Sequence, residues 1–140
     1  PITKVGFILQ WGYFRASGRF FATDLFRTQD LQYVCDRLEI EWSALVLDAQ
    51  SYSSQLAGVH QRHILKLLGW QAFGQGRERL LQQIAHLVEQ PLMPRKVLHE
   101  SRAFLVRQQI EVPSYDVFQR LITTAYRLSD GQRMSRLNQV

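Results

Sequence analysis

The sequence predicts an all-α protein, and three observations predict it. Apolar residues recur at three- and four-residue spacing in one segment after another. Helix-stopping and helix-starting residues punctuate those segments, and no alternating run of strand length stands between them. With 140 residues, 46% hydrophobic and 21% charged, the chain is globular in composition and long enough for one respectable core or two small ones.

Over residues 4–16, Val5, Phe7, Ile8, Leu9, Trp11, Tyr13 and Phe14 surround a predicted helix with large apolar groups, and Gly18 is its stop. After a loop through Phe20, Phe21, Thr23 and Asp24, Thr28 is placed to cap a helix striped by Leu31, Val34, Cys35 and Leu38. A short helix is expected over 42–49. Ser53 or Ser54 opens a longer one, with Leu56, Ala57, Ile64, Leu67 and Leu68 on its apolar side and Gly69 at its end. Trp70 and Phe73 are expected to fold back onto that side. Gly74 and Gly76 read as a flexible joint, beyond which Leu80, Leu81, Ile84, Leu87 and Val88 mark a helix halted at Pro91.

Pro94 suits the first turn of the next helix, whose Val97, Leu98, Ser101, Phe104 and Leu105 keep a helical spacing to about Gln108. A short connector, 110–113, follows. Ser114 then caps a helix over 115–128, with Val117, Phe118, Leu121, Ile122 and Ala125 inward and Gly131 just past its end. The organisation expected is one helical subdomain over 1–73, a second over 77–130, and a linker over 131–140.

Much chemistry is excluded at this level. No apolar run is long enough to span a membrane, and no secretory leader follows Pro1, so a piece of a longer soluble protein is expected. One cysteine, Cys35, makes no internal disulfide and reads as a core residue. The acids are scattered singly with no metal-binding spacing. His60 and His63 lack the companions of a zinc site, and His60 falls within the apolar stripe as a hydrogen-bonded core histidine. No nucleophile elbow or phosphate-cradling glycine loop occurs, so neither a catalytic residue nor a cofactor is expected in this chain.

The net charge of +5 points to a polyanionic partner, and its distribution is uneven. Residues 1–70 hold seven Lys and Arg against six Asp and Glu, whereas the remainder holds ten against six. On the helix after Ser53, Gln55, Arg62 and Lys66 point away from the stripe, as a solvated face or one lying along phosphates. In the first helix Lys4, Trp11 and Arg15 share a face, with the indole sandwiched by cations or helping a backbone contact, and Arg19 just beyond Gly18 can reach a phosphate or anchor its loop. On the last helix Asp116, Arg120, Thr123, Thr124 and Arg127 fall opposite Phe118, Leu121 and Ala125, with Asp116 and Arg120 spaced as an exposed ion pair. Preceded by a helix and a short connector, this arrangement is equally compatible with an ordinary solvated face and with a helix-turn-helix whose second helix enters the major groove.

The stretch Val5-Gly6-Phe7-Ile8-Leu9-Gln10-Trp11-Gly12-Tyr13-Phe14-Arg15-Ala16-Ser17-Gly18-Arg19-Phe20-Phe21 closely resembles the amino-terminal domain of Tn-three family transposases. Leu31 to Leu38, the His60 to Phe73 run and the Arg102 to Arg127 region around Ile110-Glu111-Val112-Pro113-Ser114 resemble the same family in order and spacing. One departure is Ala57-Gly58-Val59-His60-Gln61-Arg62-His63, which stands where many relatives carry a dense run of arginines. The resemblance implies helical subdomains that bind double-stranded DNA at the terminal inverted repeats of a transposon, in a bacterial cytoplasmic, nucleoid-associated protein. It also implies that a carboxylate triad holding two magnesium ions lies in a later domain. The candidate DNA-binding residues are Arg15, Arg19, Arg62, His63, Lys66, Ser114, Tyr115, Arg120, Thr124 and Arg127. The rival expectation is a helical module docking on the rest of the transposase through exposed aromatics such as Trp11 and Trp42.

Overall fold

Six α-helices form among the described residues, 2–41 and 52–138, of the computed structural model: α1 (Ile2–Ser17), α2 (Thr28–Arg37), α3 (Ser54–Leu68), α4 (Phe73–Val88), α5 (Pro94–Arg107) and α6 (Tyr115–Asn138). The described residues form no strand, only one isolated parallel bridge between Gln71 and Ile110, and the all-α expectation holds. The helix expected over 42–49, with Trp42, lies outside the described residues. The chain divides into two compact units, Pro1–Trp70 and Gln71–Val140. Gln71, Ala72 and Phe73, expected to close the first subdomain, belong to the second.

In the first unit α1 packs against both α2 and α3. Its Val5, Gly6, Leu9, Gln10 and Phe14 are buried, a three-four-five spacing that keeps them on one side of the helix. Gly18 ends α1 in the left-handed conformation, φ 75°, its N–H donating to Phe14 O at 2.7 Å. The core joins Val5, Leu9, Phe26, Val34, Cys35, Tyr52 and Ala57. Burial pushes the Cys35 thiol pKa up, with Asp36 adding to the effect. Gly6 makes room for Tyr52, because a Cβ there would stand 2.4 Å from the phenol ring.

Thr28 is the first helical residue of α2 rather than its cap, and Arg27 in the cap position contributes no side-chain bond. Tyr13 of α1 does the fixing instead. Its hydroxyl accepts the Arg27 N–H at 3.1 Å and donates to the Asp30 carboxylate at 2.5 Å. On α3, Ser53 is the N-cap, accepting from Leu56 N at 3.1 Å, and Ala57, Ile64 and Leu65 face inward. Leu67, expected in the stripe, is 58% exposed. It lies two residues beyond Leu65, about 200° round a helix of 3.6 residues per turn, so the two cannot share one face.

The second unit has a mainly aliphatic core of Leu80, Ile84, Leu87, Val88, Val97, Leu105, Ile110, Val112, Phe118 and Ile122, supplied by α4, α5, α6 and the connection between α5 and α6. Gly74 and Gly76 are not a joint. Both lie in the first turns of α4, and Gly76 is buried where a Cβ would stand 2.6 Å from Ile110, so its role is close packing. α5 ends at Arg107 with Gln108 as its C-cap, as the spacing led one to expect, and the connection to α6 follows. Gln109 there takes a left-handed φ of 55°, and Ile110 N–H returns to Leu105 O at 2.9 Å.

Gly131 does not stop the last helix. It keeps a helical backbone inside α6, which runs on to Asn138 in place of the linker expected over 131–140. A glycine ends a helix by turning left-handed, and without that turn it costs only about 1 kcal/mol of propensity among helix-forming neighbours.

Candidate nucleic-acid interface

The N-terminus of α6 is held by its neighbours before any outward residue is considered. Gln71 N–H donates to Gln109 O and Glu111 N–H to Gln71 O, both at 2.9 Å, tying the α5–α6 connection to the start of α4. The Glu111 carboxylate accepts Phe73 N–H at 3.0 Å, capping α4 where Ala72 has no side chain to do so. Burial raises the Glu111 pKa, and the Phe73 bond opposes that shift. Arg79 adds bonds to the side chains of Gln71 and Gln108. Val112 and Pro113 are buried, and Ser114 Oγ accepts Val117 N–H at 3.4 Å as the cap of α6.

From that anchor, Asp116, Gln119, Arg120, Thr123, Thr124 and Arg127 line one open groove of about 680 Å³. The helical spacing that the sequence displayed thus gathers Arg120, Thr124 and Arg127 in one place. Gln119 was missed, although it stands three residues after Asp116 and four before Thr123. The exposed Asp116–Arg120 ion pair does not form. Arg120 Nε donates to the Asp116 carbonyl at 3.4 Å, which leaves its two terminal amino groups facing solvent. Short hydroxyls between two arginines, on a helix of 24 residues or about 36 Å, form a surface that a wide nucleic-acid groove can admit.

Ser114 and Tyr115 are exposed but stand differently. Ser114 is engaged as the cap, and Tyr115 turns into a second depression of about 590 Å³, shared with Pro94, Arg95, Leu98, Gln119, Ile122, Thr123 and Tyr126.

The first-unit candidates are spread over α1, its following loop and α3. Arg15, Arg62, His63 and Lys66 are exposed. Arg19 is partly buried, its guanidinium 4.2 Å from the Phe21 ring centroid and its Nε without a hydrogen bond. Trp11 does not lie between cations; it tilts against Phe7 at 6.2 Å. His60 is hydrogen-bonded as expected, its Nδ1 2.7 Å from Tyr52 Oη, and burial with the neighbouring His63 lowers its pKa. His63 lies 6.1 Å from Phe7. Burial raises the Tyr52 pKa and nearby Gln10 opposes that shift, yet neither atom of the buried Gln10 amide makes a hydrogen bond of ordinary geometry.

Among the described residues no three His, Cys, Asp or Glu side chains are grouped to hold a metal ion. No described helix is long and apolar enough to cross a membrane.

Comparison with curated proteins and with solved structures gives no match. A family model described as a domain of unknown function, DUF4158, matches residues 1–125, which takes in the first compact unit and the second as far as Ala125 of α6. The chain belongs to the DUF4158 family.

Proposed function

We propose that this chain is a double-stranded DNA-binding region of a Tn-three family transposase that recognises the terminal inverted repeats of a transposon, with α5 and α6 used in the manner of a helix-turn-helix. The observation that carries the reading is the α6 groove, in which Arg120 and Arg127 flank Thr123 and Thr124 on a helix anchored at its N-terminus. An arginine with both terminal amino groups free suits bidentate contact to guanine, and Asp116 in the same groove can accept from a cytosine amine. The surplus of ten Lys and Arg over six acids beyond residue 70 supplies phosphate attraction. Arg15, Arg62, His63 and Lys66 serve general affinity, and strand cleavage and joining belong to another part of the transposase.

Fluorescence anisotropy with a transposon-end duplex and a scrambled duplex tests the reading. Specific binding should weaken by orders of magnitude between about 50 and 200 mM salt as counterions are released. Equal, negligible binding to both duplexes would sink it. Supercoiled transposon-end plasmid incubated with the chain and magnesium or manganese should stay intact, and nicking that depends on one acid of this chain would refute the division of labour.

A second reading, docking within the transposase assembly, draws on Leu128, Met134 and Leu137, which are exposed on the last three turns of α6. It predicts association with the remainder of the transposase that survives Arg120→Ala and is lost in Leu128→Ser with Leu137→Ser.

A further inference from the structure

The groove on α6 has a neighbour of different chemistry. The depression between the first turn of α5 and α6 has a volume of about 590 Å³, within the roughly 300–1,000 Å³ typical of small-ligand sites. Leu98 and Ile122 form its apolar floor, and Tyr115 and Tyr126 supply two aromatic rings. Tyr126 is fixed, its hydroxyl donating to Leu92 O at 3.2 Å, whereas Tyr115 is 58% exposed. Arg95 brings a cation to the rim. Among the described residues, no hydrogen bond or ion pair ties down the side chains of Arg95, Tyr115, Gln119 and Thr123. Gln119 and Thr123 line both this depression and the groove of Arg120 and Arg127, so a strand bound in one passes the mouth of the other.

We infer that this depression receives a single unstacked nucleobase of the DNA bound along α6. The ring of Tyr115 stacks on the base, the Gln119 amide meets its polar edge, and Arg95 meets the adjoining phosphate. Each feature answers a need of that ligand. A base has two apolar faces and a rim of donors and acceptors, and it leaves the helix most readily where it has no partner strand opposite. A fully apolar pocket would suit a protein side chain better, and a purely cationic one would bind phosphate without a base. The inference rests on the DNA-binding reading and adds to it a place for a base outside the duplex.

The test uses the full chain with two probes, a blunt transposon-end duplex and the same duplex carrying one unpaired thymidine. The bulged duplex should bind about tenfold more tightly, the size expected of one base stacked on an aromatic ring. Tyr115→Ala should bring the bulged duplex down to the level of the blunt one, and Tyr115→Phe, which keeps the ring, should retain the preference. Arg120→Ala should weaken both duplexes. Measurable but equal binding of both by the unaltered chain overturns the base site and leaves the duplex reading standing. A preference that persists in Tyr115→Ala also overturns it, because the bulge would then act only by making the duplex flexible. Absence of binding to either probe overturns both readings together.

Discussion

The first unit holds its helices together with polar and aromatic contacts that cross between elements, and the second with aliphatic packing plus a backbone clamp. Tyr13 reaches Arg27 and Asp30, Tyr52 reaches His60, and Phe14 stacks on Phe20 at 4.5 Å and meets Trp70 edge-on at 4.9 Å. In the second unit Ile84, Leu105 and Ile110 are fully buried, and Gln71, Gln109 and Glu111 tie the α5–α6 connection to α4. The contrast extends to the surface. Cations of the first unit are dispersed, and Arg19 is already engaged with Phe21, while Arg120 and Arg127 of the second share a groove. A unit whose turn is pinned can present one helix face in a fixed orientation, and that is the requirement for reading base edges rather than merely attracting phosphate.

The comparison can be broken most forcefully in the cores. All three tryptophans, Trp11, Trp42 and Trp70, fall in residues 1–70, so tryptophan fluorescence follows the first unit, and helical circular dichroism follows both. Leu105→Ala should cost the second unit about 2–5 kcal/mol by cavity formation. In a urea titration the dichroism should then lose part of its amplitude early while the fluorescence transition stays in place. Coincident shifts would mean that the two cores unfold as one.

Next in size are the two packing glycines. Gly76→Ala drives a methyl group into buried Ile110, and Gly6→Ala drives one into the ring of buried Tyr52, each costing about 1–3 kcal/mol. The first should spare the fluorescence transition and the second should move it. If Gly76→Ala is neutral or stabilising, the position is a joint after all, and the account of α4 is wrong.

Acidification should separate the units by sign. The His60 pKa is lowered from 6.5 by burial, so the unfolded chain takes up that proton first, and the first unit loses stability as pH falls from about 6.5 through the folded value. The Glu111 pKa is raised from 4.5 by burial, so the folded chain takes up that proton first. The second unit therefore gains stability as pH falls through the folded Glu111 value, a gain complete below 4.5. Urea midpoints measured across this range should move in opposite directions, and Glu111→Gln should abolish the second unit's share.

The smallest effects lie at two helix ends. Glu39, φ 58°, and Gln109, φ 55°, occupy left-handed positions that favour glycine. Replacing either by glycine should stabilise its own unit by roughly 0.5 kcal/mol, the relief of strain exceeding the added chain entropy.

These details also show what the residues alone disclose. Gly18, Gly69, Pro94 and Ser114 act locally, so the ends of α1, α3, α5 and α6 that they mark could be read directly. The outward set on α6 was legible for the same reason, since helical spacing alone brings Arg120, Thr124 and Arg127 together. Gly76 was misread because a glycine two residues from another looks like a breaker until Ile110, far along the chain, is seen against it. Glu111 capping α4 from 38 residues away, Tyr52 lodged against Gly6, and Arg95 beside Tyr115 are all products of tertiary packing. Glu39 and Gln109 end their helices without the glycine that normally signals such a turn.

The central claim is that the pinned α6 face discriminates sequence while the dispersed cations of the first unit do not. The most direct measurement is anisotropy of Arg120→Ala against Arg62→Ala and Lys66→Ala on transposon-end and scrambled duplexes, with circular dichroism showing each variant folded. Arg120→Ala should cost about 1–3 kcal/mol on the end sequence and less on the scrambled one, and the α3 variants should weaken both alike. Equal losses on both duplexes for Arg120→Ala, or a sequence-selective loss for Arg62→Ala, would contradict the account.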